Sequence, residues 1–340
     1  MKEAMYYQKL ADGKVQCSLC RFRCLIADGH RGICAVRENR GGTLFSLVYG
    51  KAVAENVDPV EKKPLYHFLP GTLTYSIATV GCNFRCLHCQ NYSISQIHHD
   101  TRKISGVELP PELVVERALE SGCSSISYTY TEPTIFYEYA FETARLAREA
   151  GLKNIFVTNG YITAEALAGI APYLDAANID LKGFSERFYG EVVHAMLDEV
   201  LASIREYKRL GIWIELTTLI IPTWNDSDQE MAGIARFIAD ELGVQTPWHV
   251  TQFYPTYKLI DQPRTPLETL HRARRIGVEA GLQHVYEGNI PGSGGENTRC
   301  TGCGTTLIKR FGFTIGENLL ADGKCPTCHT PLAGILSRSY

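Results

Sequence analysis

Seven short apolar runs rich in β-branched and aromatic residues recur along the chain. They are 73–80 (LTYSIATV), 124–130 (SSISYTY), 154–158 (NIFVT), 176–181 (AANIDL), 213–221 (WIELTTLII), 248–254 (WHVTQFY) and the brief 283–286 (QHVY). Their length and composition predict strands. Stretches with apolar residues at helical spacing lie between most of them, at 111–121, 133–150, 163–174, 185–210, 226–242 and 265–280. Pro111 and Pro133 suit first helical turns, and Gly151, Gly211 and Gly281 stand where helices would stop.

Strands alternating with helices predict an α/β fold with a parallel sheet and outer helices, here a partial (β/α)6 TIM-like barrel. Small cysteine-rich modules flank it. The expected division is an N-terminal segment and lead-in at 1–72, the barrel at 73–292 and a C-terminal module at 293–340. Ligands of such sheets bind where strands end. Cys82, Cys86 and Cys89 follow the first strand, Glu132 the second and Asn159 the third; Asp180 and Lys182 end the fourth, and His249 lies on the sixth. Residues far apart in sequence are thus expected at one mouth.

A formal net charge of −3 over 340 residues implies no broad basic surface, so no nucleic-acid partner is expected. The densest basic run, HRARR at 271–275, falls in a helical pattern and reads as a solvated face. The N-terminus has no hydrophobic signal core, and no stretch of about 18 apolar residues occurs, so a cytoplasmic protein without a membrane partner is expected. Of the 12 cysteines, all but Cys123 fall into three clusters. Clustered thiols in a reducing compartment read as metal sites, and lone Cys123 as a core residue.

The central cluster, GCNFRCLHCQN at 81–91, has the spacing C-x3-C-x2-C. An iron–sulfur cubane has four irons, each needing an external ligand, so three thiolates leave one iron open to a cofactor or substrate. The alternative is a zinc site completed by His88, His98 or His99. This motif after the first strand of a β/α chain resembles that of the radical S-adenosylmethionine (SAM) enzymes. The resemblance implies a [4Fe-4S] cluster that binds SAM and delivers an electron to it. Reductive cleavage then yields a 5′-deoxyadenosyl radical, which abstracts hydrogen from a substrate. It further implies an electron donor of flavodoxin or ferredoxin type. The position before the third cysteine, usually an apolar aromatic in that family, is His88.

Other motifs carry over residue by residue. YTYTEP at 128–133 resembles the family's GGE motif, with Glu132 as the acid and Tyr130 and Thr131 replacing the glycines. DLK at 180–182 resembles a stretch of glycyl-radical activating enzymes that helps bind the methionine moiety, which implies cofactor roles for Asp180 and Lys182. Asn159 in TNG and His249 in WH resemble residues at strand ends of the same enzymes, His249 near the ribose. The chain departs from their pattern at Val157 and Thr217, where an acid and an arginine are expected.

Cys300, Cys303, Cys325 and Cys328, spaced C-x2-C-x21-C-x2-C, predict a zinc-ribbon-like site. Cys17, Cys20, Cys24 and Cys34 predict a second thiolate site, for zinc or an auxiliary iron–sulfur cluster. Together with DPVEKKPLYHFLPGT at 58–72, PWHVTQFYP at 247–255 and VYEGNIPG at 285–292, these features resemble the AmmeMemoRadiSam system radical SAM proteins, related to pyruvate formate-lyase activating enzymes. That resemblance implies Memo-like and AMMECR-like partners. Lys62, Lys63, Tyr66 and His67 either close over the site or cap the barrel's end. The expected function is that of a radical SAM enzyme on an unidentified substrate. The alternatives are an activase of a glycyl-radical partner protein and a non-catalytic metal scaffold.

Overall fold

The computed structural model describes residues 1–96 and 101–336. One eight-stranded sheet organises it: β1 (Ala54–Pro59), β2 (Leu73–Ala78), β3 (Ser125–Tyr128), β4 (Lys153–Thr158), β5 (Ala176–Asp180), β6 (Trp213–Ile220), β7 (Trp248–Gln252) and β8 (Val285–Gly288). Each strand pairs with the next in sequence; β2 to β8 run parallel, and β1 lies antiparallel against β2. The crossovers contain α1 (Pro111–Glu120), α2 (Tyr137–Glu149), α3 (Ala164–Ile170), α4 (Leu197–Arg209), α5 (Asp228–Phe237) and α6 (Leu267–Glu279). Right-handed crossovers in strictly sequential order put every helix on one face and curl the sheet around the other. The seven expected strands are present, and the sheet gains an eighth, β1, from the lead-in. AENVDP has too few apolar positions to register as a strand, because β1 is an edge strand in which Glu55, Asn56 and Val57 are all exposed and only Asp58 is buried.

The helix expected over 185–210 is interrupted. A short helix at Glu186–Phe188 runs into a π-helical turn at Tyr189–Val193; His194 then takes a left-handed conformation (φ 62°), and α4 begins at Leu197. The reason lies outside the helix. The carbonyls of Val192 and Val193 accept hydrogen bonds from the backbone of Leu87 and Arg85, at 2.9 and 3.3 Å, so this turn serves as a ledge for the central cysteine loop.

The lead-in after β1 plugs the lower end of the barrel. Val60, Leu65, Phe68 and Leu69 pack with Ile155 and Ala176 near the starts of β4 and β5. Glu215 of β6 holds the plug: its carboxylate accepts from the backbone of Tyr66 (3.0 Å) and His67 (2.8 Å) and pairs with His249 Nε2 (2.7 Å). Burial alone would raise its pKa, but the hydrogen bond and charge of His249 bring it down to about 2. The C-terminal hairpin, Thr306–Phe311 with Thr314–Asn318, is fixed to the same plug. Arg310 donates to the Tyr66 carbonyl (2.9 Å) and stands 4.2 Å from the Tyr66 ring centre.

The N-terminal segment joins the main core through Val15, Leu19, Ile26, Val36 and Leu44. Its polar clasp is Arg37, 2% exposed, donating to both oxygens of Glu138 on α2 (2.9 and 3.1 Å) and to the Met5 carbonyl (2.6 Å). No helix among the described residues is long and apolar enough to cross a membrane.

Removing one partner of a buried ion pair strands the other's charge. Arg37→Met is therefore expected to cost about 3–5 kcal/mol in urea denaturation, and the double variant with Glu138→Gln less than the two single changes summed. A folded-state pKa held below the ordinary carboxylate range stabilises fully above that range and is lost as pH falls towards the folded value. The stability gap between wild type and Glu215→Gln should be a few kcal/mol (about 3) at pH 7 and should narrow as pH falls from about 4.5 towards 2, read by denaturation at each pH.

Candidate active site at the strand ends

The loop after β2 hangs from fixed backbone bonds. Gly81 N–H donates to the Ile94 carbonyl (2.9 Å), the Val192–Val193 ledge carries its centre, and Lys258 N–H donates to the Leu87 carbonyl (2.9 Å). Cys82, Cys86 and Cys89 consequently face one cavity of about 520 Å³, which Glu132, Asn159, Asp180 and Lys182 also line. Four of the five sequence segments expected to meet, β2 to β5 with their loops, do so there.

Donors already point at the sulfurs. Phe84 N–H lies 3.3 Å from Cys82 Sγ, Ser95 Oγ 3.0 Å from Cys89 Sγ and Asn159 Nδ2 3.8 Å from Cys82 Sγ. Burial raises the Cys82 thiol, reinforced by Glu132; it pushes Cys86 up to about 12 even though Lys182 pulls the other way. Two buried polar atoms beside the loop, Asn83 Nδ2 and His88 Nδ1, have no hydrogen-bond partner among the described residues. A ligand rich in acceptors and held by three thiolates fits this set of groups: the sulfides of an iron–sulfur cluster accept hydrogen bonds, and the cluster's potential is tuned by them. His88 stacks on Phe188 (centroids 6.1 Å apart, planes at 20°), so the imidazole occupies the place of the expected aromatic. Burial, aided by Lys182, lowers its pKa to about 3 and keeps it neutral. His98 and His99 lie outside the described residues.

Glu132 caps the turn that begins at Pro133. Its Oε1 accepts from Thr134 N–H (3.0 Å), Thr134 Oγ1 (2.5 Å) and Thr158 Oγ1 (2.8 Å), and its Oε2 from Asn159 N–H (2.8 Å). The carboxylate thus ties the end of β3 to the end of β4. Burial raises its pKa and these bonds oppose the rise. Asn159 Nδ2 donates to Asn83 Oδ1 (2.7 Å), which locks the third strand end to the cysteine loop. Gly160 follows because a Cβ there would meet Ile179 at 2.8 Å. Lys182 Nζ pairs with Asp180 Oδ2 at 2.8 Å; burial would lower its pKa, and Asp180 and Cys86 more than reverse that.

Tyr130 stands where the related motif has glycine, and its φ is +63°, a conformation that costs a bulky residue energy. Two contacts hold it: its hydroxyl donates to Asp58 of β1, and Lys63 Nζ lies 4.6 Å from its ring centre. Lys63 in turn pairs with Asp58 at 2.6 Å. Lys62, Lys63 and Pro64 line the cavity, while His67 is buried in the plug, bonded to the Ala333 carbonyl (2.7 Å) and Tyr286 (2.6 Å). The lead-in therefore both walls the site and caps the barrel. The motif KKP carried no chemical signal beyond its position; Asp58, paired with lysines four and five residues on, was the cue available.

His249 does not line the cysteine cavity. It sits second in β7, in register with Thr217, and bonds Glu215 beneath the mouth; Thr251, two residues further along the same face, reaches the cavity instead. Val157 and Thr217 also line the cavity, so the departures from the activase pattern are in the wall itself.

Among the described residues, the one group of three or more candidate ligands whose atoms all fall within 4.8 Å is Cys300, Cys303, Cys325 and Cys328. Cys300 and Cys328 sulfurs are 3.4 Å apart, those of Cys303 and Cys325 3.7 Å. A tetrahedral ion with Zn–S bonds of about 2.3 Å spaces its sulfurs about 3.8 Å apart, so the donor set fits such an ion. The Thr330 hydroxyl and backbone, with neighbouring thiols, hold Cys328 down to about 6. Cys17, Cys20, Cys24 and Cys34 lie close enough to influence one another's charge: burial raises Cys20 most, and Cys17, Cys34 and Cys24 add to it. Cys123 is buried in the main core.

Comparison with known proteins agrees with this architecture. The model of the radical SAM superfamily matches residues 76–235. Uncharacterized protein MJ0808 of Methanocaldococcus jannaschii is 50% identical over 313 residues, 92% of each chain. A putative glycyl-radical enzyme activating enzyme of the same organism, MJ1632, is 24% identical over 215 residues, 60% of this chain and 76% of that one. The crystal structure of a radical SAM methyltransferase from Sphaerobacter thermophilus superposes with a TM-score of 0.50 and 17% identity, covering 66% of this chain and 68% of that one. With its parallel sheet and its cysteine loop after β2 inside the matched stretch, the chain carries a radical SAM superfamily domain at residues 76–235.

Proposed function

We propose that this protein is a radical SAM enzyme that uses the β2 loop to hold a [4Fe-4S] cluster and generates a hydrogen-abstracting radical for a substrate held beside it. The observation that carries the reading is the convergence of Cys82, Cys86 and Cys89 with Glu132, Asn159, Asp180 and Lys182 on one cavity. Bound there, the cluster and SAM would supply a low-potential electron and a 5′-deoxyadenosyl radical. The chain's own residues do the rest. The three cysteines ligate, while Phe84 N–H, Ser95 and Asn159 donate to their sulfurs. Asp180 and Lys182 present a carboxylate and an ammonium to the charged groups of the methionine moiety, and Glu132 fixes the edge backbone on which that moiety rests. His249 acts one layer below, through Glu215, and supports the wall formed by Thr217 and Thr251.

Zinc in the C-terminal module is the metal that best matches four thiolates in this geometry. The four N-terminal cysteines are proposed as a second metal site, for zinc or an auxiliary cluster. A flavodoxin- or ferredoxin-like donor and Memo-like and AMMECR-like partners follow from the sequence resemblance. A second reading, activation of a glycyl-radical partner protein, draws on the name of MJ1632. Under that reading a protein loop would enter the cavity past Phe313, which lines it from the tip of the C-terminal hairpin.

Anaerobically reconstituted wild type should convert SAM to 5′-deoxyadenosine with dithionite as reductant, and Cys86→Ala should reduce that yield at least 100-fold, read by chromatography. Equal yields would exclude the assignment. Protein isolated with bound metal should lose one equivalent of zinc in Cys328→Ser, with a lower Tm; metal content unchanged by that substitution would remove the C-terminal site.

A further inference from the structure

A second chamber of about 410 Å³ adjoins the cysteine cavity, and the two share Pro64, Gln90, Thr251, Asn289 and Phe313 as walls. Its lining combines three aromatic rings, Tyr66, Tyr254 and Phe313, with three buried carboxylates, Glu61, Glu287 and Glu296. Among the described residues no lysine or arginine lines it; the one basic side chain in its wall is His249, whose Nε2 is held by Glu215 at 2.7 Å. Behind it, Arg310 faces Glu61 across 3.7 Å, and His271 bonds Glu287 (2.9 Å); Glu296 is occupied by Gly292 N–H (2.7 Å) and Ser293. Three carboxylates thus face one guanidinium and two imidazoles, and one of those imidazoles, His249, is already paired with Glu215.

Glu61 marks the unfilled position. It is 1% exposed; its Oε1 accepts from Gly71 N–H (3.0 Å), and its Oε2 has no hydrogen-bond partner among the described residues. A buried carboxylate oxygen without a donor costs on the order of 1–3 kcal/mol, more when charged. An N–H-bearing cation removes that cost, and aromatic faces around it add cation–π attraction. A carboxylate guest at the same position would instead set a second acceptor against the unpaired oxygen of Glu61.

We propose that this chamber is the substrate subsite of the radical site and takes a small organic ammonium compound, its nitrogen on Glu61 and its body between Tyr66, Tyr254 and Phe313. The inference rests on the radical reading of the adjoining cavity. It deepens that reading by assigning the substrate's charge and size. The shared wall sets the geometry: a guest anchored at Glu61 extends past Thr251 and Asn289 towards the cysteine loop. It also assigns a role to the C-terminal module, whose hairpin carries Phe313 over both spaces and Arg310 behind Glu61.

The test uses reconstituted full-length protein with SAM and isothermal titration of three matched pairs: tyramine against 3-(4-hydroxyphenyl)propionate, phenethylamine against 3-phenylpropionate, and cadaverine against glutarate. The amine should bind at least tenfold more tightly than its carboxylate in at least one pair. Glu61→Gln should weaken that amine at least tenfold, and Phe313→Ala should weaken an aromatic amine more than cadaverine. Carboxylates binding as well as amines, no amine binding in any pair, or amine affinity unchanged in a folded Glu61→Gln would overturn the proposal. The comparison of pairs in wild type stands if the variant does not fold. 5′-Deoxyadenosine formation measured without any amine reports on the radical reading separately: product without amine preference defeats the subsite alone, and no product defeats the radical reading.

Discussion

Strictly sequential parallel order is the constraint on which the rest of this molecule depends. When each strand of β2 to β8 lies beside its successor and runs the same way, every loop leaving a strand emerges at one rim. Residues separated by a hundred positions then meet without any long excursion of the chain. Cys82, Glu132, Asn159 and Asp180 are neighbours because each stands at or just past the end of its own strand. Local bonds refine what topology brings together: Glu132 joins the ends of β3 and β4, and Asn159 joins the end of β4 to the cysteine loop.

The same order leaves the lower end of the barrel and its first edge uncovered, and the flanking segments supply both. The lead-in gives β1 to the edge and a plug to the base, held by Glu215 from inside the sheet. Arg310 then fastens the C-terminal hairpin to that plug, and Arg37 fastens the N-terminal segment to α2. Each fastening is a buried charge whose partners are fixed, which makes it costly to break and selective about geometry. The terminal modules are therefore parts of the site's scaffold. Asp58 and Lys63 hold Tyr130 in its left-handed conformation, and Phe313 reaches the mouth from the far end of the chain.

Most of this was legible in the sequence where the signal is periodic or carried by residue type. Seven strands, their parallel arrangement and the cysteine loop followed from apolar runs, helix alternation and thiol spacing. What escaped depended on tertiary partners. Edge strand β1 has a solvent-facing side and hence no apolar run. The break at His194 answers to hydrogen bonds from the cysteine loop, invisible in the helix's own sequence. His249, expected near a ribose from its place after a tryptophan on the sixth strand, bonds Glu215 and lines the adjoining chamber rather than the cysteine cavity. Phe313 carried no sequence signal at all, since nothing in a zinc-ribbon pattern says what its hairpin covers.

The central claim is that the β2 loop holds a cluster with an iron open to SAM. Electron paramagnetic resonance of the anaerobically reconstituted, reduced protein, recorded with and without SAM, addresses it directly. The account predicts a reduced [4Fe-4S] signal whose g-values shift when SAM is added and which is lost in Cys86→Ala. A protein that takes up zinc at this loop and shows no cluster signal, or a cluster signal indifferent to SAM, would contradict it.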